Sequence, residues 1–385
     1  MKWILLFYVM LLLVNVQAQT ITDVQRLYKD LMTNYTKEVM PTPSTETLHI
    51  SISFLMVSVN FFREVEESIS LTGCFHLIWH DTRLEWTPSL KGNLSLLMID
   101  PNDIWLPPLV LINRVDKMEI IGDSTKFPAS VNSSGYIRYS PGTVADVKCT
   151  PDISKFPFDR QICTLEIVPW GMDKKHLSLT KIVDVCLLMH LTPNSDWNLE
   201  KCTSTVYNSQ EHSVFYVIVE IKRQPLYYTI MVVFPTFLFG FLNPLVFIVP
   251  VETGERIGLA ITLLLSYAIF LTLASASVPA TSNPMCTLLI IMIVIITVSG
   301  VILYGTTVTI KYHYKKKTDD IWSPLKGITE WILKKKLKYA EQADSKKKIN
   351  VTKDDVVDTL DSLFFVGSYM TMIIICFGYF LYVLI

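Results

Sequence analysis

Three catalytic signatures are missing from these 385 residues: there is no HExxH, no GxSxG and no Gly-rich phosphate loop. The seven histidines form no catalytic grouping, so neither an enzyme nor a bound cofactor is expected. A formal net charge of −1 leaves no basic surplus for nucleic acid. Half of the residues are hydrophobic, which excludes a disordered chain. No internal repeat is found, and low complexity is confined to lysine clusters, so a solenoid is excluded as well.

What is present is apolar sequence, concentrated late. Tyr227 to Pro250, Ile257 to Val278, Cys286 to Ile310 and Phe364 to Ile385 each approach the roughly 20 residues that cross a bilayer. At the other end, MKWILLFYVMLLLVNVQA carries a lysine, an apolar run and a small-residue cleavage context, the pattern of a signal peptide over 1–18. Lys311, Lys315 to Lys317, Lys334 to Lys336, Lys338 and Lys346 to Lys348 follow the third apolar run, whereas the link Ser277 to Pro284 has no basic residue. By the positive-inside rule the basic segment is cytosolic, and both termini are expected outside a plasma membrane crossed four times.

Residues 19–224 are expected to form one extracellular all-β sandwich of immunoglobulin-like type with a short N-terminal helix. In that helix Ile21, Val24, Leu27 and Leu31 recur at helical spacing, and alternation over His49–Val59, Ser68–Trp79 and Val214–Ile221 marks strands. Sequons at Asn34, Asn93 and Asn132 suit a glycosylated outer surface, and a fourth at Asn350 is expected to be silent on the cytosolic side. The remaining boundaries are expected at 225–310 for three transmembrane helices, 311–359 for a cytosolic segment and 360–385 for the fourth helix. Within that segment, Leu325, Ile328, Trp331, Ile332 and Leu337 suggest an amphipathic helix beside the membrane, and Val351–Leu363 a second. Solvated connectors and partner-binding elements are both open readings of them.

Cys149 and Cys163 bracket thirteen residues whose middle is Phe156-Pro157-Phe158-Asp159. Upstream of all membrane segments, the pair reads as a disulfide worth roughly 3 kcal/mol in the chain-entropy model. The apolar tip of that loop would rest on another apolar surface, which the membrane helices offer. A second bridge is expected between Cys186 and Cys202, while Cys286 and Cys376 read as packing residues.

These features, with Trp79-His80-Asp81-Thr82-Arg83-Leu84-Glu85-Trp86, Ile104-Trp105-Leu106-Pro107, Gly254-Glu255-Arg256-Ile257 and Pro279-Ala280-Thr281-Ser282, resemble the Cys-loop receptor family. These are the pentameric ligand-gated ion channels, and the likeness is to their nicotinic acetylcholine receptor branch. The resemblance implies an all-α four-helix transmembrane bundle below the sandwich, four further subunits around a central pore, surrounding membrane lipid, an unidentified small-molecule ligand and permeant monovalent cations.

On the second membrane helix a stripe three and four residues apart contains Glu255, Gly258, Thr262, Leu265, Ile269, Thr272 and Ala276. As a pore lining it would place a carboxylate ring at the inner mouth and an apolar constriction midway. The alternative is that Thr262 and Thr272 merely bond back to their own helix and Glu255 serves its N-terminus. Anion-conducting relatives carry a Pro-Ala-Arg insertion that is absent here, so cation selectivity is expected. Ala276 replaces a frequent acid, leaving calcium permeability open. Phe156, Pro157, Phe158, Asp159, Arg223 and the Ser277–Ser282 link would couple ligand binding to the pore, with Asp159 and Arg223 either paired or separately solvated.

The resemblance assigns the ligand site to Trp170, Ile112, Tyr207, His212, Cys74 and Arg138. Trp170 matches a cage tryptophan, or else packs in the core. Ile112 and Cys74 stand where the family has rings, and the adjacent cysteines of acetylcholine-binding subunits are missing. Two lost rings would weaken cation–π binding by about 0.5–2 kcal/mol each, so a different ligand is expected. Cys74, His76 and His80 share a strand face that could meet a metal, although unrelated interface residues are the simpler reading and no metal site is assigned. Two rival readings are a non-conducting, membrane-anchored binding or adhesion receptor, and an accessory subunit needing a partner with a complete cage.

Overall fold

A computed structural model of the chain describes residues 20–123, 127–276, 284–315, 323–339 and 351–384. The signal peptide, the Ser277–Ser282 link, Lys316, Lys317, Lys346–Lys348 and Asn350 lie outside the described residues. The chain divides into two compact units at Pro151/Asp152, Asp159/Arg160 and Lys222/Arg223. Residues 152–159 therefore belong with the helices although the sequence on both sides of them belongs with the strands.

The first unit opens with α1 (Ile21–Met32), capped by Thr20 in a reciprocal box with Asp23. Its buried anchor is Leu27, with Val24 and Leu31 packed at the margin; Ile21, expected on the same face, is exposed at the helix's first position. Twelve strands follow. One sheet runs β10 (Leu187–Thr192), β1 (Leu48–Arg63), β2 (Ser68–Glu85), β6 (Ser134–Tyr139), β5 (Ala129–Asn132) and β3 (Leu96–Ile99). β7 (Gly142–Lys148) also pairs with β2, and β9 (Leu177–Lys181) with β1. The second sheet runs β11 (Trp197–Asn208), β12 (Ser213–Arg223), β8 (Arg160–Pro169) and β4 (Leu109–Leu111).

Alternation produces these layers. Along β12 every second residue is buried from Ser213 to Arg223, and the antiparallel register sets Phe215 opposite Ile167 and Val217 opposite Leu165. Both sheets turn such residues into a single core, in which Trp79 meets Trp105 edge-on at 6.3 Å. The Asp81 carboxylate, fully buried, accepts from the Tyr35 hydroxyl at 2.8 Å and from Arg83 Nε and Nη2 at 2.9 and 2.8 Å. Arg83 also lies 4.4 Å over the Tyr35 ring. That closed network is the physical content of the Asp-x-Arg string, because a buried carboxylate persists only with donors on its oxygens.

Among the described residues, the helical unit contains four helices long and apolar enough to cross a membrane. The first, α2 (Leu226–Ile248), passes through a wide π turn over Thr229–Val233 ahead of Pro235 and tightens to 3₁₀ geometry at Asn243–Ile248 around Pro244. Proline withholds an amide donor and crowds the preceding turn, which accounts for both departures. Gly254, at φ +69°, then admits the chain to α3 (Glu255–Ser275). α4 (Thr287–His313), α5 (Ser323–Tyr339) and α6 (Lys353–Leu384) complete the unit. The expected boundary at 359/360 falls inside α6: from Lys353 onward the amphipathic stretch and the last crossing are one unbroken helix. In α5, Leu325 is buried whereas Ile328 and Trp331 are exposed.

Gly73 shows how tightly the first sheet is built, since a Cβ there would stand 2.3 Å from Phe54 Cζ and 2.7 Å from Leu55 O. Gly73→Val is expected to destabilise the chain by about 1–3 kcal/mol or more through overpacking. The check is the thermal unfolding midpoint of the detergent-solubilised protein, which an open site would leave unchanged.

Candidate functional site: ligand face, loop tip and pore helix

The candidate ligand face is built where β8 and β12 run side by side. After β8 the chain turns at Gly171, φ +72°, and this turn presents Trp170 outward, 57% exposed and not packed in the core. Its backbone is held by the amide of Trp170 donating to Pro108 O at 2.8 Å. A cavity of about 640 Å³ lies beside it, walled by Ile112, Val168, Trp170, Met172, His212 and Val214, with Asp173 at its edge. That volume falls in the range of small-molecule sites. Among the expected residues, Trp170, Ile112 and His212 are thus brought together. Val168, Met172, Asp173 and Val214 were missed, though the alternation of β8 and β12 places Val168 and Val214 on this face.

The β11–β12 hairpin is short and internally tied. Ser209 N donates to His212 O at 2.9 Å and His212 N to Ser209 Oγ at 2.8 Å, while Lys174 N donates to Glu211 O at 2.8 Å. Tyr207 is exposed on β11. Tyr216 lies directly across from Glu166 in the β8–β12 register. Burial, followed by the Glu166 carboxylate and Tyr207, pushes the Tyr216 phenol up, which keeps it a neutral hydroxyl.

Cys74 and Arg138 sit on the other sheet, on β2 and β6, and one chain does not bring them to Trp170. Arg138 pairs with Ile78, so it shares the face of Cys74, His76 and His80. The histidines are engaged separately: His76 Nδ1 meets Ser140 Oγ at 2.5 Å, and His80 Nε2 meets Glu85 Oε1 and Ser134 O, each at 3.0 Å. Burial pushes the Cys74 thiol up, away from the thiolate a metal needs. Among the described residues, no three His, Cys, Asp or Glu side chains are grouped to hold a metal.

Both cysteine pairs are bonded, Cys149 to Cys163 and Cys186 to Cys202. Asn34 and Asn93 are exposed. Asn132 is half-buried, its Oδ1 accepting from Ser134 N and Tyr136 N at 3.2 and 2.8 Å.

At the loop tip the open question about Asp159 and Arg223 is answered by geometry. Arg223 Nε and Nη2 donate to the two Asp159 oxygens at 2.7 and 3.1 Å, and both side chains are 1% exposed. The guanidinium also lies 4.9 Å from the Phe156 ring and 5.2 Å from Tyr228. Phe156 is buried with Val233, Cys286 and Tyr379, and its carbonyl accepts from Tyr379 Oη at 3.3 Å. The tip is thus fastened to the starts of α2 and α4 and to the end of α6.

The pore candidate α3 has two faces. Arg256, Ala260, Tyr267 and Ala274 are buried, whereas Glu255, Gly258, Thr262, Leu265, Ile269, Thr272 and the capping Ala276 are all exposed. Leu265 and Ile269 are 59% and 56% exposed. Leu259, Ile261 and Leu273 flank the stripe and are exposed too. The hydroxyls of Thr262 and Thr272 bond back to Gly258 O and Ala268 O at 2.8 and 3.1 Å, and each keeps a lone pair toward the open side.

Sequence reasoning put Arg256 off the stripe but did not find its partners. The side chain is fully buried and donates to Val246 O at 3.0 Å, Phe247 O at 2.8 Å, Thr309 Oγ1 at 3.3 Å and Asp361 Oδ2 at 2.7 Å. It therefore ties α3 to α2, α4 and α6. The available signal was Asp361 itself, an acid carried into the last membrane-length helix, where ionisable residues face inward and pair.

Two family models match the chain: the neurotransmitter-gated ion-channel ligand binding domain over residues 24–225, and the neurotransmitter-gated ion-channel transmembrane region over residues 232–348. The chain is 28% identical over 293 residues to the acetylcholine receptor subunit beta-type unc-29 of Caenorhabditis elegans, covering 74% of this chain and 57% of that one. It is 30% identical over 266 residues to the human neuronal acetylcholine receptor subunit alpha-2, covering 67% and 50%. To the acetylcholine receptor subunit alpha-type unc-38 of C. elegans it is 27% identical over 375 residues, covering 85% and 71%. The first two matches span only about half the length of those relatives.

Removing one partner of the Arg223–Asp159 pair leaves a buried charge uncompensated. Asp159→Asn is expected to destabilise the protein by about 3–5 kcal/mol, and Asp159→Leu combined with Arg223→Met to recover much of the loss. Comparing the unfolding midpoints of the three proteins checks this; an unaltered midpoint in Asp159→Asn would show that the pair contributes nothing.

Proposed function

Because the chain belongs to the neurotransmitter-gated ion-channel family, we propose that it is a subunit of a pentameric, cation-selective ligand-gated channel with a divergent agonist site. It is a channel-family protein and not an enzyme, and its strand-rich N-terminal unit belongs on the outside of the plasma membrane. The observation that carries the proposal is the division of α3. Its buried face serves its own bundle, and the face left open holds an acid, small residues, hydroxyls and two large apolar side chains in pore order.

Five copies of Leu265 and Ile269 would form the narrow apolar section that closes by dewetting, and Glu255 would supply a ring of carboxylates at the inner mouth. Permeant monovalent cations gain from that ring, whereas anions meet five like charges. Four further subunits and the surrounding lipid are the partners this reading needs. The loop tip, fastened to the helices through Asp159 and Arg223, would transmit the ligand's effect.

Trp170 is the one indole lining the ligand-face cavity, with the His212 imidazole beside it, so a ligand there meets an incomplete set of rings in a largely aliphatic wall. Cys74 and Arg138, on the other sheet, would complete the site from a neighbouring subunit. This depletion argues against tight acetylcholine binding. It also favours the second reading, an accessory subunit that works beside a partner with a full set of rings. A purely anchoring receptor would need no polar stripe on α3.

The test needs no agonist. Leu265→Ser, expressed alone, is expected to wet the constriction and produce a resting current whose reversal potential shifts when sodium is replaced by a large impermeant cation. Adding Glu255→Gln is expected to lower the cation-to-anion permeability ratio several-fold, read from dilution potentials. Surface pentamers of Leu265→Ser without current would replace the homomeric reading by the accessory one, and an unchanged ratio would remove Glu255 from the selectivity ring.

A further inference from the structure

Glu255 and Arg256 open α3 with opposite charges on consecutive residues, whose Cα atoms stand about 3.8 Å apart. Repeated around a pentameric pore, such pairs would bring as many positive as negative charges to its inner mouth. A carboxylate ring selects for cations there only if something answers the guanidinium. The surroundings of Arg256 therefore bear on ion choice and not only on packing.

Among the described residues, four groups accept from Arg256, and they differ in what they can do. The Val246 and Phe247 carbonyls, at 3.0 and 2.8 Å, belong to the closing 3₁₀ turn of α2. Thr309 Oγ1, at 3.3 Å, belongs to α4. All three are neutral, so they hold the guanidinium in place without changing the net charge of the spot. Asp361 Oδ2, at 2.7 Å on α6, is the acceptor that carries a negative charge. The side chain of Arg256 is 1% exposed and that of Asp361 15%, so solvent ions screen them far less than they screen charges in water. Paired, the two ions act as a compact dipole. Unpaired, the guanidinium would act at full charge one residue away from the Glu255 ring.

We infer, on the pore reading of α3 in the proposed function, that Asp361 is a positioning residue for ion selectivity that acts through Arg256. By cancelling the guanidinium it leaves the Glu255 ring as the uncompensated charge of the inner mouth. A determinant of ion choice thus lies on α6, outside the pore stripe and 105 residues along the chain from Arg256. The neutral acceptors fix the geometry of Arg256, and the carboxylate sets the charge that the pore meets.

The experiment uses the full chain carrying Leu265→Ser and reads the cation-to-anion permeability ratio from dilution potentials. Asp361→Asn is expected to lower that ratio by about threefold or more, because each subunit then carries an unanswered guanidinium. Adding Arg256→Gln to Asp361→Asn removes this charge and is expected to recover most of the lost ratio, although the clasp is now gone. A merely structural role predicts the opposite, a ratio that stays down or falls further when the second partner is removed. Arg256→Gln alone keeps the acid and is expected to raise the ratio about twofold; this variant carries the test if Asp361→Asn does not reach the cell surface. An unchanged ratio in Asp361→Asn, no recovery in the double variant, or an unchanged or lower ratio in Arg256→Gln would overturn the role of Asp361 and leave the proposed function standing. A Leu265→Ser pore without any preference for cations would instead sink the proposed function, and this role with it.

Discussion

A charge pair without water holds the loop tip to the helices. Asp159 and Arg223 are each 1% exposed and exchange two hydrogen bonds, with the Phe156 and Tyr228 rings against the guanidinium. Such a pair tolerates little displacement, because separation would leave either ion desolvated and alone. The position of the pair matters as much as its strength. Asp159 ends the segment 152–159, which lies inside the ring closed by the Cys149–Cys163 disulfide, and Arg223 is the last residue of β12, three positions before α2 begins at Leu226.

The same physics recurs at the opposite end of the helical unit. Arg256 is adjacent to the exposed Glu255, yet it is fully buried and satisfied by two carbonyls, a hydroxyl and Asp361. About 100° of helix rotation separates the two side chains, and that rotation turns neighbouring opposite charges to different purposes. One faces the open stripe, and the other locks α3 to three further helices. α3 is thus pinned at the end that carries Arg256, while in its midsection Leu265 and Ile269 are exposed and Tyr267 is buried against the bundle.

The candidate ligand face around Trp170 holds few aromatic side chains. A lone exposed indole, an isoleucine, a methionine and an imidazole line a cavity sized for a small molecule. The β11–β12 hairpin beside it is tied by three backbone-centred bonds over Ser209–His212 and Lys174.

The strands, the four membrane-length helices and the stripe on α3 were legible in the residues, because each follows from a period of 2.0 or 3.6 or from apolar length. The family followed from short motifs in order. Less was legible wherever a side chain could face two ways. Trp170 had a core setting open to it beside the surface one, Asp159 and Arg223 lie 64 residues apart, and nothing local to Arg256 named Asp361, 105 residues on. Boundaries were also blurred: α6 continues through 359/360 because its amphipathic start has the same helical period as its apolar remainder. The sequence by itself determined which segments are strands, which can cross a bilayer and which face of α3 is polar, since those are properties of local repeats. Only the tertiary structure decided which charges are paired and buried, and that Cys74 and Arg138 share one sheet while Trp170 belongs to the other. Such pairings depend on distances between segments that no local period encodes.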